Sequence, residues 1–107
     1  MKIEENDMYE ALMYLSGTDE ELARLHADMG RAEHAAKKIK DAMFIHGQGT
    51  VEARKAQAGD SKEYDVAINE YFDAVAEHDA VDNKRKTAEL KIRAWQTLAA
   101  NRRQGQI

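Results

Sequence analysis

Leu22, Leu25, Met29, Ala32, Ala36, Ile39, Met43 and His46 follow one another at alternating steps of three and four, and all but the last are apolar. A repeat of 3.5 residues keeps one side of an α-helix turned toward a neighbouring helix, so this stretch requires a helical partner. The same chain supplies one. A second stripe takes Tyr64, Ile68, Tyr71, Val75 and His78, then Val81, Arg85, Ala88, Ile92, Trp95 and Ala99. Two steps of three occur in succession from Val75 through His78 to Val81, which locally overwinds a coiled coil or moves the stripe to a different partner. The fold these stripes predict is all-α: a long, antiparallel, coiled-coil-like helical hairpin with a short N-terminal helix, assembling into a helical-bundle oligomer.

A chain of 107 residues reads as a single helical domain, and the absence of proline fits long uninterrupted helices. The short helix is predicted over 7–15, with Asn6 or Asp7 as its cap and Met8, Leu12 and Leu15 on one side. Ser16-Gly17 ends it. Thr18 then opens a helix over 19–46 with Glu21 three residues on, the spacing of a capping box. Glu20 with Arg24, and Glu33 with Lys37, support its wet face at about a few tenths of a kcal/mol per pair. A loop over 47–60 stops this helix at Gly47-Gln48-Gly49. It holds a brief helical turn capped by Thr50 and ended by Gly59 in the left-handed conformation. Asp60 and Ser61 restart the chain into a helix over 61–101, and 102–107 form a frayed tail.

At 1.5 Å per residue the two long helices measure about 42 and about 61 Å. Laid antiparallel from the loop, the shorter is exhausted near Ala88, and Ile92, Trp95 and Leu98 run past it uncovered. The N-terminal helix, with Met8, Leu12 and Leu15, is one cover; a second copy of the chain is the other. These six residues are the candidate oligomer interface, with a dimer favoured because two helices supply only a two-sided seam. His46, His78 and Arg85 fall on seam positions, where a buried polar side chain costs stability but can fix register; the expectation is instead a frayed edge, with each reaching water along its stem.

Charge divides along the sequence. Residues 1–83 carry nine Lys and Arg against nineteen Asp and Glu, whereas from Lys84 onward there are seven basic residues and only Glu89. Basic side chains late in a helix complement the macrodipole. A sharper reading makes Lys84, Lys86, Lys91, Arg93, Arg102 and Arg103 a nucleic-acid contact. Trp95, in step with Ile92 and Ala99, reads as core, which leaves phosphate contact to the arginines.

Catalytic chemistry finds little support. Cysteine is absent, and Ser16 and Ser61 stand where helix caps and breaks are needed. The residues three before each histidine are Ala23, Arg31, Met43 and Val75, so no Glu-x-x-His pair of a helical-bundle metal site exists. Glu70, Asp73 and Glu77 share a helix face and read as a solvated acidic surface. Gly47-Gln48-Gly49-Thr50 lacks the spacer and lysine of a phosphate loop. The expectation is a non-enzyme without cofactor or metal, and no catalytic residue is assigned. Lack of cysteine, of a signal-peptide apolar region and of any run of spanning length fits a soluble cytoplasmic protein without membrane contact.

Two stretches carry a resemblance. Gly49-Thr50-Val51-Glu52-Ala53-Arg54-Lys55-Ala56-Gln57-Ala58 leads to Ser61-Lys62-Glu63-Tyr64, and Ala88-Glu89-Leu90-Lys91-Ile92-Arg93-Ala94-Trp95 continues to Gly105. From about Thr18 onward the chain resembles small, uncharacterised all-helical proteins of tailed bacteriophages and prophages, found among early genes for DNA recombination and replication. The resemblance implies a bacterial cytoplasm and an accessory or adaptor role, with nucleic acid or a DNA-metabolism protein as partner. It brings no active site. Secreted type VII hairpins carry Trp-x-Gly in the turn, where this chain has His46-Gly47-Gln48-Gly49, and are set aside. Two other readings stand beside the adaptor. One is an inhibitor of a host protein, using the eight acidic residues between Asp60 and Asp82 as a DNA mimic; the other is a purely structural coiled-coil spacer.

Overall fold

Met8, Ala11, Leu15 and Thr18 continue the alternation of three and four back from Leu22, so the first seam runs unbroken from Met8 to Met43. The computed structural model, which describes residues 2–105, follows that seam and not the local cap signal. Its first helix, α1 (Glu5–Ile45), passes straight through Ser16 and Gly17. The predicted break is therefore absent. A glycine inside a helix costs about 1 kcal/mol relative to alanine, less than the burial that a continuous seam secures. Of the expected capping box, Thr18 is buried and turns back into the helix while Glu21 is exposed. The Thr18 hydroxyl donates to the Tyr14 carbonyl at 2.7 Å, and the Ser16 hydroxyl donates to the Met13 carbonyl at 3.4 Å.

At the start of α1, Asp7 occupies the third helical position and is not the cap itself. Its carboxylate accepts from the Glu4 backbone N–H at 2.9 Å, the reciprocal half of a capping box. Arg24 turns toward Asp28 at 3.4 Å, and Arg31 reaches the same carboxylate at 3.1 Å. His46 lies beyond the helix and is exposed.

Gly49, at φ 97°, takes the left-handed turn that leads into α2 (Val51–Gly59). Thr50 caps α2, its side chain accepting from the Ala53 N–H at 3.2 Å. The Gln57 amide closes the turn from the other side: it accepts from the Gln48 N–H at 3.2 Å and donates to the Gln48 carbonyl at 2.9 Å. Gly59 does not adopt the left-handed conformation; Asp60 ends α2 at φ −96°, its N–H bonded to the Ala56 carbonyl. Ser61 then caps α3 (Lys62–Gly105), accepting from the Tyr64 N–H at 3.1 Å. Arg102 and Arg103, placed in a frayed tail by the sequence, are the last turn of that helix. Residues 106 and 107 of the tail lie outside the described residues.

The irregular step in α3 disappears once alanines are counted. Ala67 is buried and Ala74 half-buried, so the seam runs Tyr64, Ala67, Tyr71, Ala74, His78, Val81, Arg85, Ala88, Ile92, Trp95, Ala99 in strict alternation. Ile68 and Val75 flank this line, also half-buried. No strand occurs among the described residues, and no helix among them is long and apolar enough to cross a membrane.

The chain divides into two compact units. In unit 1 (residues 2–23 and 79–105) the first half of α1 runs antiparallel to the second half of α3, with Ile3, Met8, Ala11, Thr18 and Ala88 buried. In unit 2 (Arg24–His78) the rest of α1, α2 and the start of α3 come together around Leu25, Ala36, Ala58 and Ala67. Small side chains dominate both cores. Among the described residues no large side chain is fully enclosed, as expected where only two long helices share a seam.

Candidate functional site

Arg85 is the most heavily committed polar side chain of unit 1. It leaves α3 on the seam and crosses to α1, where Nη1 donates to the Leu15 carbonyl and to Thr18 Oγ1, each at 2.7 Å. Nη2 meets Asp19 Oδ1 at 2.6 Å, and the Arg85 side chain is only 15% exposed. Its expected place at a frayed edge is thus corrected. A guanidinium has donors enough to satisfy three acceptors on one helix turn, and the aliphatic stem is long enough to cross the seam. Because Thr18 Oγ1 donates to Tyr14, its lone pairs are free to accept from Arg85. Every one of these groups is spent on holding α1 to α3, so the cluster ties helices and offers no reactive atom.

The six candidate nucleic-acid residues separate into different surroundings. Lys84 and Lys91, seven apart on α3, line a groove of about 420 Å³ whose other wall carries Asp7, Glu10 and Tyr14 of α1. Lys86 and Arg93, also seven apart, lie on the opposite flank of α3. Lys86 is held at 2.9 Å by Asp82, whose hydrogen bond and then negative charge raise the lysine pKa above its usual value. Arg102 and Arg103 line a second cavity, of about 450 Å³, together with Ile3, Trp95, Leu98 and Ala99.

Of the six candidate interface residues, four are occupied within unit 1. Met8 is buried, and Leu15, Ile92 and Trp95 are half-buried. The predicted overhang of Ile92 and Trp95 does not arise, because α1 starts at Glu5 and Ile3 reaches the cavity beside Trp95. Leu12 and Leu98 remain exposed, in company with Tyr9, Met13 and Leu90, which sequence reasoning did not select. Met13 alone is 73% exposed. Placing the heptad of α1 across Gly17 finds Tyr9 and Met13 off the seam. Thr18 escaped notice as a partner of Arg85 because it reads locally as a cap residue, and Asp19 because it reads as the exposed first residue of a new helix.

In unit 2 the His26 and His78 rings approach to 5.8 Å at 53°, and the Lys40 ammonium sits 5.2 Å over the Tyr64 ring. Glu70, Asp73 and Glu77 are exposed along α3. No grouping of three or more His, Cys, Asp or Glu suited to a metal ion occurs among the described residues.

Comparison with protein-family models, with curated proteins and with solved structures finds no match for this chain.

Proposed function

We propose that this chain is a non-enzymatic helical accessory or adaptor protein of phage DNA recombination or replication, acting in a bacterial cytoplasm as a homo-oligomer, with a weak nucleic-acid contact at the basic end of unit 1. One juxtaposition supports the reading above the others: Trp95, Arg102 and Arg103 line the same cavity, and among the described residues no acidic one lines it. An indole face stacks on any base, and neighbouring guanidiniums hold the adjoining phosphates, which is a sequence-tolerant way to grip a single strand. Trp95 thereby combines a packed edge with an accessible one.

Trp95 is the sole tryptophan, so its fluorescence reports directly on that cavity. Titration with a short single-stranded oligonucleotide at low salt is expected to quench the emission. The quenching weakens as salt rises and is lost in Arg102→Glu/Arg103→Glu. Unchanged emission at low salt contradicts the contact.

The host-inhibitor reading draws on a different observation. Glu63, Glu70, Asp73 and Glu77 are all exposed on α3 of unit 2, and the spacings of Glu63, Glu70 and Glu77 place them on one flank. A mimic of this kind retains a protein partner from host lysate after nuclease treatment and loses it in Glu70→Lys/Glu77→Lys. The nucleic-acid contact predicts that nuclease removes whatever is captured through the Trp95 end.

A further inference from the structure

The groove between α1 and α3 in unit 1 has walls of opposite sign. Asp7 and Glu10 stand on the α1 side, Lys84 and Lys91 on the α3 side, and the buried Ala11 and Ala88 line it between them. Among the described residues no ion pair within 4.0 Å joins the two walls. Glu10 and Lys84 are exposed and Asp7 and Lys91 half-buried, and each wall runs along its helix: Asp7 is followed seven residues on by the half-buried Tyr14, and Lys84 by Lys91 and then by the exposed Leu98. Each wall therefore continues from charge into apolar surface.

We infer that this flank of unit 1 is a two-fold interface with a second copy of the chain. Because α1 and α3 are antiparallel in unit 1, a two-fold axis parallel to the helices lays α1 of each copy over α3 of the other without shifting their level. The acidic wall of one copy then faces the basic wall of its partner, twice, and all four neighbouring helix pairs are antiparallel, the arrangement of a four-helix bundle. A flank with walls of opposite sign is self-complementary only under this operation. An axis perpendicular to the helices lays acid on acid and base on base, which is disfavoured. Tyr14, Leu98 and the aliphatic stems of Lys84 and Lys91 supply the apolar contact that charge alone does not. The inference rests on the homo-oligomer of the proposed function and is independent of its nucleic-acid contact, whose cavity it borders at Leu98.

Sedimentation equilibrium at micromolar concentration and low salt tests it. The native chain is expected to be dimeric and to dissociate as salt rises. Two variants separate the signs: Asp7→Lys/Glu10→Lys makes both walls basic, and Lys84→Glu/Lys91→Glu makes both acidic. Each alone is expected to be monomeric, and an equimolar mixture to form a heterodimer. The Asp7 carboxylate also accepts from the Glu4 N–H at the start of α1, so Glu10→Lys alone, with helicity checked by circular dichroism, serves as the variant that keeps that bond. Leu12→Glu, off this flank, leaves the dimer intact. A monomeric native chain, charge-reversed variants that dimerise as the native chain does, a mixture that stays monomeric, or dissociation by Leu12→Glu each overturns the inference.

Discussion

In unit 1 the seam is crossed by Arg85, which reaches three oxygens on one turn of α1; in unit 2 it is crossed by rings, His26 against His78, with Lys40 over Tyr64. Both units use the same 3.5-residue repeat on the same two helices. What differs is how direction enters. Apolar packing along a seam tolerates a slip of one heptad, since small residues meet small residues again seven positions on. A guanidinium that must find the Leu15 carbonyl, the Thr18 hydroxyl and the Asp19 carboxylate together tolerates none, and so fixes the register of α1 against α3 in unit 1. Unit 2 achieves its closure through shape, with Leu25 as its largest buried side chain and with α2 beside the end of α1, where Lys55 and Ala58 face Lys40, Asp41 and Phe44.

The sharpest way to break this contrast is to weaken each unit by its own device. Leu25→Ala in unit 2 is expected to cost about 3 kcal/mol in urea denaturation, within the range for truncating a buried leucine. Arg85→Ala in unit 1 is expected to cost about 2 kcal/mol, because the carbonyl and hydroxyl it leaves behind are poorly hydrated while Asp19 returns to water. If Arg85→Ala is neutral, the polar tie does not hold unit 1. Arg85→Leu separates register from stability further: it restores apolar volume, and loss of a single conformation with retained helicity is the expected signature.

Glycines give a smaller effect of opposite sign. A Cβ at Gly17 in unit 1 or Gly30 in unit 2 meets nothing within 4 Å, and both sit inside α1. Gly17→Ala and Gly30→Ala are each expected to stabilise by about 0.5–1 kcal/mol. A destabilised Gly17→Ala reinstates the break between 16 and 18. Lys86→Ala is expected to leave the thermal midpoint unmoved, since the Lys86 side chain is exposed and its pair with the half-buried Asp82 is screened by solvent. Because that lysine's pKa is raised on folding, the lysine stays charged at neutral pH and its contribution is lost as pH climbs through the alkaline range. A midpoint that moves between neutral and mildly acidic pH therefore has another origin.

Much of the architecture was legible because seven-residue spacing survives any local disturbance. The stripe from Leu22 to Met43 came from that spacing, and the antiparallel pairing from the loop over 47–60 that joins the two helices. Two readings failed for the same reason, which is that small and polar residues were scored by local habit. Thr18 looks like a cap with Glu21 behind it, yet its place in the seam sends its hydroxyl back to Tyr14. Ala67 and Ala74 look incidental beside Tyr64, Ile68 and Val75, yet they complete the register of α3. The Arg85 tie was illegible for a different reason. Its partners lie 66 to 70 residues away, and no local pattern links Arg85 to Leu15, Thr18 and Asp19. In the candidate site, the arginines and Trp95 were visible as types, whereas the separation of Lys86 and Arg93 from Lys84 and Lys91 depended on the flank of α3 each occupies, and that of Trp95 and Arg102 on distance along the helix.

The continuity of α1 through Ser16, Gly17 and Thr18 underlies both the seam and the reach of Arg85, and amide hydrogen exchange reads it directly. Protection at residues 18–21 is expected to match that at Leu22 and Leu25. Exchange there as fast as at Gln48 and Gly49 would contradict a single helix from Glu5 to Ile45.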